Sequence, residues 1–529
     1  VSRMAPVRTY SFADLLELVA AAVPEREAAV CGAHRLTYRQ LNERADRLAS
    51  HLQAKGIRPG DRVGLQLFNG SEYLEGFFAA CKLRAVPINI NYRYVADELR
   101  YIYDNAGLSV LLYSPALAAT VQPLLPEFPG IKEALAAGPA YEAALAAASV
   151  SYDVPQRSDD DLSLLYTGGT TGMPKGVMWP HKSLFFSALG GGGFYRKEGP
   201  ITSPEEIGPV AKAGHPLRYM AIAPMMHGAS MWASLVALMA GQTVVMREEV
   251  EFNAEKIWDL AAQEGVNIVA VVGDAMAVPL LDALKANPTR WDLSRIVHLG
   301  SGGGLFSGHV QQELRALLPR ANVSDSMGSS ESGTLGAGGK PASGEGFIKI
   351  AARPDLVILA HTLDRIAEPD EEGVLARSGN VAVGYWGDPA KSATTFFSLD
   401  GLRYAATGDT AKRDADGNIV VLGRGSQCIN SGGEKIFPEE VEEVLHRHPA
   451  VADALVVGAS DPRFGKKVIA VVVLRPGHKA DPEALREFCR QHIAGYKVPK
   501  NVVFVDEMQR SPAGKANYRW ATGVAEAQG

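Results

Sequence analysis

A chain of 529 residues has room for two to four domains at roughly 150 residues each, which excludes a short binding module or a small toxin. Apolar residues at 47% and charged residues at 21% are the balance of a folded globular protein, not of a disordered chain. Fifty-three Lys and Arg against 59 Asp and Glu leave a net charge of −6, so there is no overall positive field to hold nucleic acid or an anionic membrane.

Cys31, Cys81, Cys428 and Cys489 show no CxxC spacing, which argues against a zinc site or a disulfide framework and makes a reducing cytoplasm the expectation. The opening residues lack the apolar core of a signal peptide and lead into an amphipathic segment over 12–23. Helical and strand patterns then alternate: a helix over 37–55, a strand over 62–67, a helix over 71–82 and a strand over 85–90. Such alternation predicts parallel sheets covered by helices, with ligands at the carboxyl ends of the strands. Residues 183–216 interrupt it with Gly190 to Gly193 and a polar, Pro-containing stretch that reads as a mobile surface excursion.

Residues 219–246 contain no Lys, Arg, Asp or Glu and exceed the ~18 residues of a membrane-spanning helix. Pro224, His227-Gly228 and Gly241 divide them into a strand, a loop, a helix over 229–240 and a strand over 243–246, so buried core is expected rather than stable membrane insertion. Strands over 266–273 and 295–300 resume the alternation. After a strand over 418–422 and a turn at Gly423, about a hundred residues carry their own helix (438–446) and strands (454–458 and 467–474), the size of an independent small domain.

Four segments carry chemistry. Tyr166-Thr-Gly-Gly-Thr-Thr-Gly-Met-Pro-Lys-Gly-Val-Met-Trp179 combines four glycines, three threonines and a lysine. Inward N–H groups, hydroxyls and the Lys175 charge suit a polyphosphate, although such a loop taken alone reads as an ordinary turn. Pro174 and Gly176 flank Lys175 where a GxxxxGK[ST] loop needs Gly and Ser or Thr, and strand-like residues follow, so the loop joins two strands. Asp325-Ser-Met-Gly-Ser-Ser-Glu331, after Gly300 to Gly304, reads as a loop in which Glu331 suits Mg²⁺ and Asp325 an exocyclic amine, or as a solvated loop. Asp409, in Tyr404-Ala-Ala-Thr-Gly-Asp-Thr410, faces Arg424 across a hairpin turned at 414–418, an arrangement that fits ribose hydroxyls or a surface ion pair. Lys515 follows a glycine in Arg510-Ser-Pro-Ala-Gly-Lys515 and alone reads as a solvated lysine.

In order and wording these segments resemble the acyl-adenylate-forming enzymes: acyl-CoA synthetases, amino-acid-activating domains and luciferases. The resemblance runs from Leu36-Thr-Tyr-Arg-Gln-Leu41 through the loop at 166–176, 328–331, Thr407-Gly-Asp409, Gly423-Arg424 and Gly433-Glu-Lys-Ile-Phe-Pro-Glu-Glu-Val-Glu442 to Gly514-Lys515. Asp274-Ala-Met276 and Gly495-Tyr-Lys-Val-Pro499 look most like the sterol-side-chain and long-chain acyl-CoA ligases.

The implied fold is α/β: a large N-terminal domain of stacked αβ layers with a small β-barrel-like part (1–423), a hinge at 424–427 containing Ser426, and a small mobile α+β domain (428–529). The implied ATP site places Thr167, Gly168, Gly169, Thr170, Thr171, Gly172 and Lys175 at the phosphates. Gly302, Gly303, Asp325, Ser326, Met327, Gly328, Ser329 and Ser330 would lie about the base, and Asp409 and Arg424 at the ribose. Glu331 would bind Mg²⁺, Lys515 would bridge carboxylate and α-phosphate, and Lys435 would meet the phosphate. Gly432, Gly433 and Lys435 would face CoA, and His227, Met231, Asp274, Met276 and Gly303 would line the acyl pocket.

Met327 stands where many members have an adenine-stacking tyrosine, Asn430 replaces a frequent lysine, and Ser426 replaces Asp or Lys at the hinge. The expected activity is ATP-dependent ligation of a bulky or long apolar carboxylic acid to CoA through an acyl-AMP. A carrier-protein acceptor and a non-catalytic Mg-ATP-binding regulator are the rival classes, and a homodimer is left open.

Overall fold

The computed structural model describes residues 7–167, 173–303, 306, 308–338, 348–369, 371–424, 429–436, 438–509 and 518–528. Local signals set many of the elements. Thr37 accepts a hydrogen bond from the Gln40 N–H while the Gln40 side chain accepts from Thr37, and this reciprocal cap starts the helix Tyr38–Ala54. Leu41, Ala45, Leu48 and Leu52 fall on one side of that helix and are buried.

Two large sheets result. In the first the strand order is Gly384–Tyr385, Lys175–Pro180, Leu162–Thr167, Val86–Asn89, Arg62–Gln66, Leu108–Tyr113, Glu133–Ala136, parallel from Leu162–Thr167 onward. In the second, Asn322–Ser329, His298–Gly302, Ile268–Val271, Arg218–Ala221, Thr243–Met246 and Glu27–Cys31 run parallel, with antiparallel edges at Gly333–Gly338 and His34–Thr37. The helices Phe12–Ala22, Tyr38–Ala54, Ser71–Lys82 and Gly228–Met239 share one apolar core with strands of both sheets. Each large apolar side chain fully buried there contributes about 1.5–3 kcal/mol.

A third, antiparallel sheet contains Gly373–Ser378, Leu402–Arg413 and Ile419–Arg424. The C-terminal part has its own core, built on Val451–Asp461, Gly465–Leu474 and Asn501–Phe504 with the helices Pro438–His446 and Pro482–His492. The charge-free stretch is a strand, the helix Gly228–Met239 and another strand, and no helix among the described residues is long and apolar enough to cross a membrane.

Two expectations are corrected. Residues 183–216 are no loose excursion, because the helix Ile207–Ala213 packs against Phe12–Ala22, and Leu184, Phe185, Ile201, Ile207 and Ala211 are buried in the main core. Their apolar residues are too widely spaced among glycines and charges to show a period. Residues 325–329 and 300–302 are strand, not loop. Their Ser, Gly and Asp side chains carry no alternation, yet the backbone of Asn322–Ser329 is paired on both sides, with Gly302 opposite Ser326 and Gly338 opposite Asp325.

Candidate functional site

The carboxyl ends of the two parallel sheets meet, and two asparagines join them. Asn69 donates to the Ala221 and Ala223 carbonyls at 3.2 and 2.9 Å and accepts the Met225 N–H at 2.7 Å. Asn89 donates to the Tyr166 and Met226 carbonyls at 2.9 and 2.7 Å and accepts the Tyr166 N–H at 2.6 Å. Sequence reasoning missed both, since an isolated Asn after a strand reads as turn punctuation.

As expected, strands flank the Gly/Thr segment on both sides: Leu162–Thr167 and Lys175–Pro180 pair antiparallel, with Thr167 opposite Lys175. Lys175 Nζ lies 2.6 Å from Asp388 Oδ2 and 5.7 Å from the centre of the Tyr385 ring. Tyr385 donates to Glu331 Oε1 at 3.1 Å. Lys175, Tyr385, Glu331 and Asp388 therefore form one cluster, of which the sequence pointed only to Lys175 and Glu331. The lysine holds the Asp388 carboxyl below the usual carboxylate range.

Behind Glu331, the Ser330 carbonyl accepts the Trp179 indole N–H at 2.8 Å, and Ser329 and Ser332 hydroxyls meet at 2.8 Å. Ser326 donates to the Ser301 carbonyl at 2.7 Å, and Met327 packs toward the core of the third sheet. A side chain at Gly328 would stand 2.6 Å from the Gly333 carbonyl oxygen, so that glycine is required by the strand pairing. Burial, with Asp274 adding to it, pushes the Asp325 carboxyl up to about 6. In the third sheet Asp409, buried, stands directly opposite Arg424 in the ladder, and its N–H donates to Thr407 Oγ1 at 3.1 Å.

The C-terminal part presents the turn between Ile429–Ser431 and Glu434–Ile436 to this end of the large part. Gly433, at φ 87°, passes so close to Val272 that an added Cβ would lie 2.0 Å from its Cγ1, and a Cβ at Gly432 would reach Ala275 at 3.6 Å. Val272 follows the strand Ile268–Val271 and caps the helix Gly273–Ala286, which carries Asp274 and Met276. Glu434 Oε1 lies 3.1 Å from His227 Nε2 and also pairs with Arg93. Burial works to raise the Glu434 carboxyl, but His227, Arg93 and Lys497 together hold it below its ordinary value. Met231 lines an apolar cavity of about 30 Å³ with Phe77, Trp179, Met225 and Trp232. Gly303 is exposed with φ 83°, and among the described residues no atom beyond its chain neighbours lies within 4 Å of where a Cβ would stand.

Gly168, Gly169, Thr170, Thr171, Gly172, Ser426 and Lys515 lie outside the described residues, as does Cys428. Arg424 and Lys435 are described as strand positions only.

Fold and site together define an α/β protein whose two parallel sheets meet at their carboxyl ends beside a C-terminal part with its own core. The chain belongs to the AMP-binding enzyme family: the family model described as AMP-binding enzyme matches residues 16–386, and that of the AMP-binding enzyme C-terminal domain matches 440–515. It is 42% identical to a medium/long-chain-fatty-acid–CoA/3-oxocholest-4-en-26-oate–CoA ligase of Mycobacterium tuberculosis, over 98% of this chain and 96% of that protein. It is also 42% identical to a 3-oxocholest-4-en-26-oate–CoA ligase of Rhodococcus rhodochrous, over 97% and 95%. Among solved structures, o-succinylbenzoate CoA synthetase of Bacillus subtilis superposes with a TM-score of 0.79 at 25% identity, covering 96% of this chain and 97% of that one.

Proposed function

We propose that the protein is an AMP-forming acyl-CoA ligase for a bulky or long apolar carboxylic acid. The observation that carries this reading is the contact of the Gly432–Gly433 turn with Val272 and Ala275, beside Asp274 and Met276. Two residues without side chains let the backbone of the C-terminal part close directly on the large part there, the face from which a thiol would reach an acyl group held in the large part. The identity to the fatty-acid and steroid-acid ligases along nearly the whole chain supports the same reading.

In the first half-reaction the substrate carboxylate attacks the α-phosphate of ATP in line and pyrophosphate leaves. Thr167 and the loop 168–172 surround the phosphates, Lys175 and Lys515 offset their charge, and Asp409 and Arg424 hold the ribose. Gly302, Gly303 and Asp325 to Ser330 border the adenine. In the second half-reaction the CoA thiolate attacks the acyl carbon and AMP leaves, with Gly432, Gly433 and Lys435 on the thiol's side. A turn of the C-terminal part about 424–427 exchanges Lys515 for the Gly433 face, since one face cannot serve both steps.

Glu331 fits a Mg²⁺ ligand: it is an oxygen donor held in orientation by Tyr385, beside Lys175. Mg²⁺ is commonly bound through one or two carboxylates with substrate phosphates and waters as its other ligands, a role that a single carboxylate at Glu331 would suit. Bound there, the ion would neutralise phosphate charge.

Release of AMP and pyrophosphate is to be measured with a panel of acids, in the presence of CoA or of a carrier protein. CoA-dependent AMP release with fatty or steroid-side-chain acids is the expected result. Release only with a carrier protein would make it an acyl-AMP-dependent loader, and no release with any acid would leave an ATP-binding regulator.

A further inference from the structure

Lys497 is a buried cation shared by the two parts of the molecule. Its ammonium lies 2.8 Å from Glu98 Oε1, on the helix Ala96–Ala106 of the large part, and also pairs with Glu440 in the first turn of Pro438–His446. The side chain of Lys497 is 1% exposed, those of Glu98 and Glu440 3% each. The ammonium stands 4.8 Å from the centre of the Tyr94 ring and 5.6 Å from that of Tyr496. A buried charge is tolerated only when paired, and stripping one partner away is costly.

The two carboxylates differ in what they report. Lys497 and Glu440 both belong to the C-terminal part, so their pair can persist however that part is turned. Glu98 belongs to the large part, so its bond to Lys497 exists only in the docking seen here. Glu98 Oε2 also accepts the Val95 N–H at 3.1 Å, which fixes the carboxylate at the start of its helix. Glu440 lies a few residues beyond the Glu434–Ile436 strand, directly downstream of Gly432–Gly433.

We propose that Glu98 is a positioning residue for thioester formation: through Lys497 and Glu440 it holds the Gly432–Gly433 turn against Val272, and it takes no part in making the acyl-adenylate. This inference rests on the ligase reading and names the device that selects one of its two alignments. Glu98→Gln keeps an acceptor for the Val95 N–H but removes the charge, leaving Lys497 with one carboxylate in this docking.

Two single-turnover rates test it on the full chain: acyl-AMP formation from acid and ATP without CoA, and acyl-CoA formation from supplied acyl-AMP and CoA. In Glu98→Gln the second rate falls tenfold or more while the first changes less than twofold, and Glu98→Asp, which keeps the charge on a shorter arm, loses less of the second rate. Equal losses in both rates together with a lowered melting temperature would make Glu98 merely structural and overturn the proposal, as would an unchanged second rate. Should Glu98→Gln fail to fold, the split between the rates in Glu98→Asp decides in the same way. If the unmodified protein makes no acyl-AMP from any acid, the ligase reading itself falls and the inference with it.

Discussion

Lys175 and Asp388 form an ion pair at 2.6 Å at the edge of the first sheet, between the strand that follows the Gly/Thr segment and the cap of a helix more than two hundred residues away. Asp388 Oδ1 accepts the Lys391 N–H at 2.9 Å, so the same carboxylate starts the helix Pro389–Thr395 and holds the lysine. In the proposed reaction Lys175 meets the ATP phosphates, and Asp388 is then a competitor for the same ammonium.

Replacing Asp388 with Asn keeps a good capping residue and removes the competing charge. A partly exposed pair of this kind is worth up to about 1 kcal/mol, so KM for ATP should fall by roughly two- to fivefold with little change in kcat. Steady-state kinetics at varied ATP check this. A kcat reduced tenfold with KM unchanged would instead mean that Asp388 steers Lys175 into its working position.

Asp325 predicts a pH effect. Its carboxyl stays protonated up to about 6 in the folded chain because it is buried near Asp274, whereas an ordinary aspartate gives up its proton near pH ~3.9. The folded state thus binds more protons across that window, and this residue's contribution to stability declines as pH rises through it. If the ionised carboxylate accepts the adenine amine, KM for ATP should rise as pH falls below 6, by up to about tenfold per unit. Asp325→Asn should flatten both the KM profile and the stability slope. A KM for ATP that is level from pH 7 to 5 would exclude the contact.

Lys515→Ala tests the proposed alternation from the other side. A charge-assisted contact made mainly in the adenylation transition state is worth on the order of 10²-fold in rate. Acyl-AMP formation should fall by that much, while thioester formation from supplied acyl-AMP stays within a few-fold. Equal losses in both half-reactions would remove the division of labour between Lys515 and the Gly433 face.

Elements with strong local signals were legible from the sequence. The helices Ser71–Lys82 and Pro438–His446 have the bounds expected from their periodicity, and the pairing of Asp409 with Arg424 follows from a hairpin turned by Asp414 and Asn418. The strand Asn322–Ser329 was not legible, because what makes it a strand is a pair of neighbours distant in the chain rather than its own Ser, Asp and Gly. In the site, motif residues marked Lys175 and Glu331, but Asp388, Tyr385, Asn69 and Asn89 act through partners that only the tertiary fold brings near. Lys497 lay within the quoted Gly495-Tyr-Lys-Val-Pro499, but its pairing with Glu98 was hidden for the same reason: four hundred residues apart, each looks like a surface charge until the fold buries both.

The last prediction concerns the acid. Met225, Met231 and Trp232 border a cavity of about 30 Å³ between the first sheet and the helix Gly228–Met239, room for about two or three water-sized groups. A long acyl chain seated there must therefore displace side chains, and methionine, unbranched and flexible, yields more readily than a β-branched residue. Each methylene then buried contributes up to ~0.8 kcal/mol, so kcat/KM should rise up to about fourfold per carbon until the space is filled. Gly303 is a poor place to obstruct the chain, since its φ of 83° would strain any leucine put there. Met231, buried at the cavity wall, is the better one. Met231→Trp should lower kcat/KM for dodecanoate by tenfold or more while leaving hexanoate within about threefold, with a thermal melt to check that overpacking of about 1–3 kcal/mol has not unfolded the protein. A flat profile from acetate to dodecanoate in the unmodified enzyme, or faster turnover of an amino acid, would refute an apolar acyl pocket. An equal loss for hexanoate and dodecanoate in Met231→Trp would place the chain elsewhere, because a side chain that blocks only the far end of a pocket cannot penalise a substrate too short to reach it.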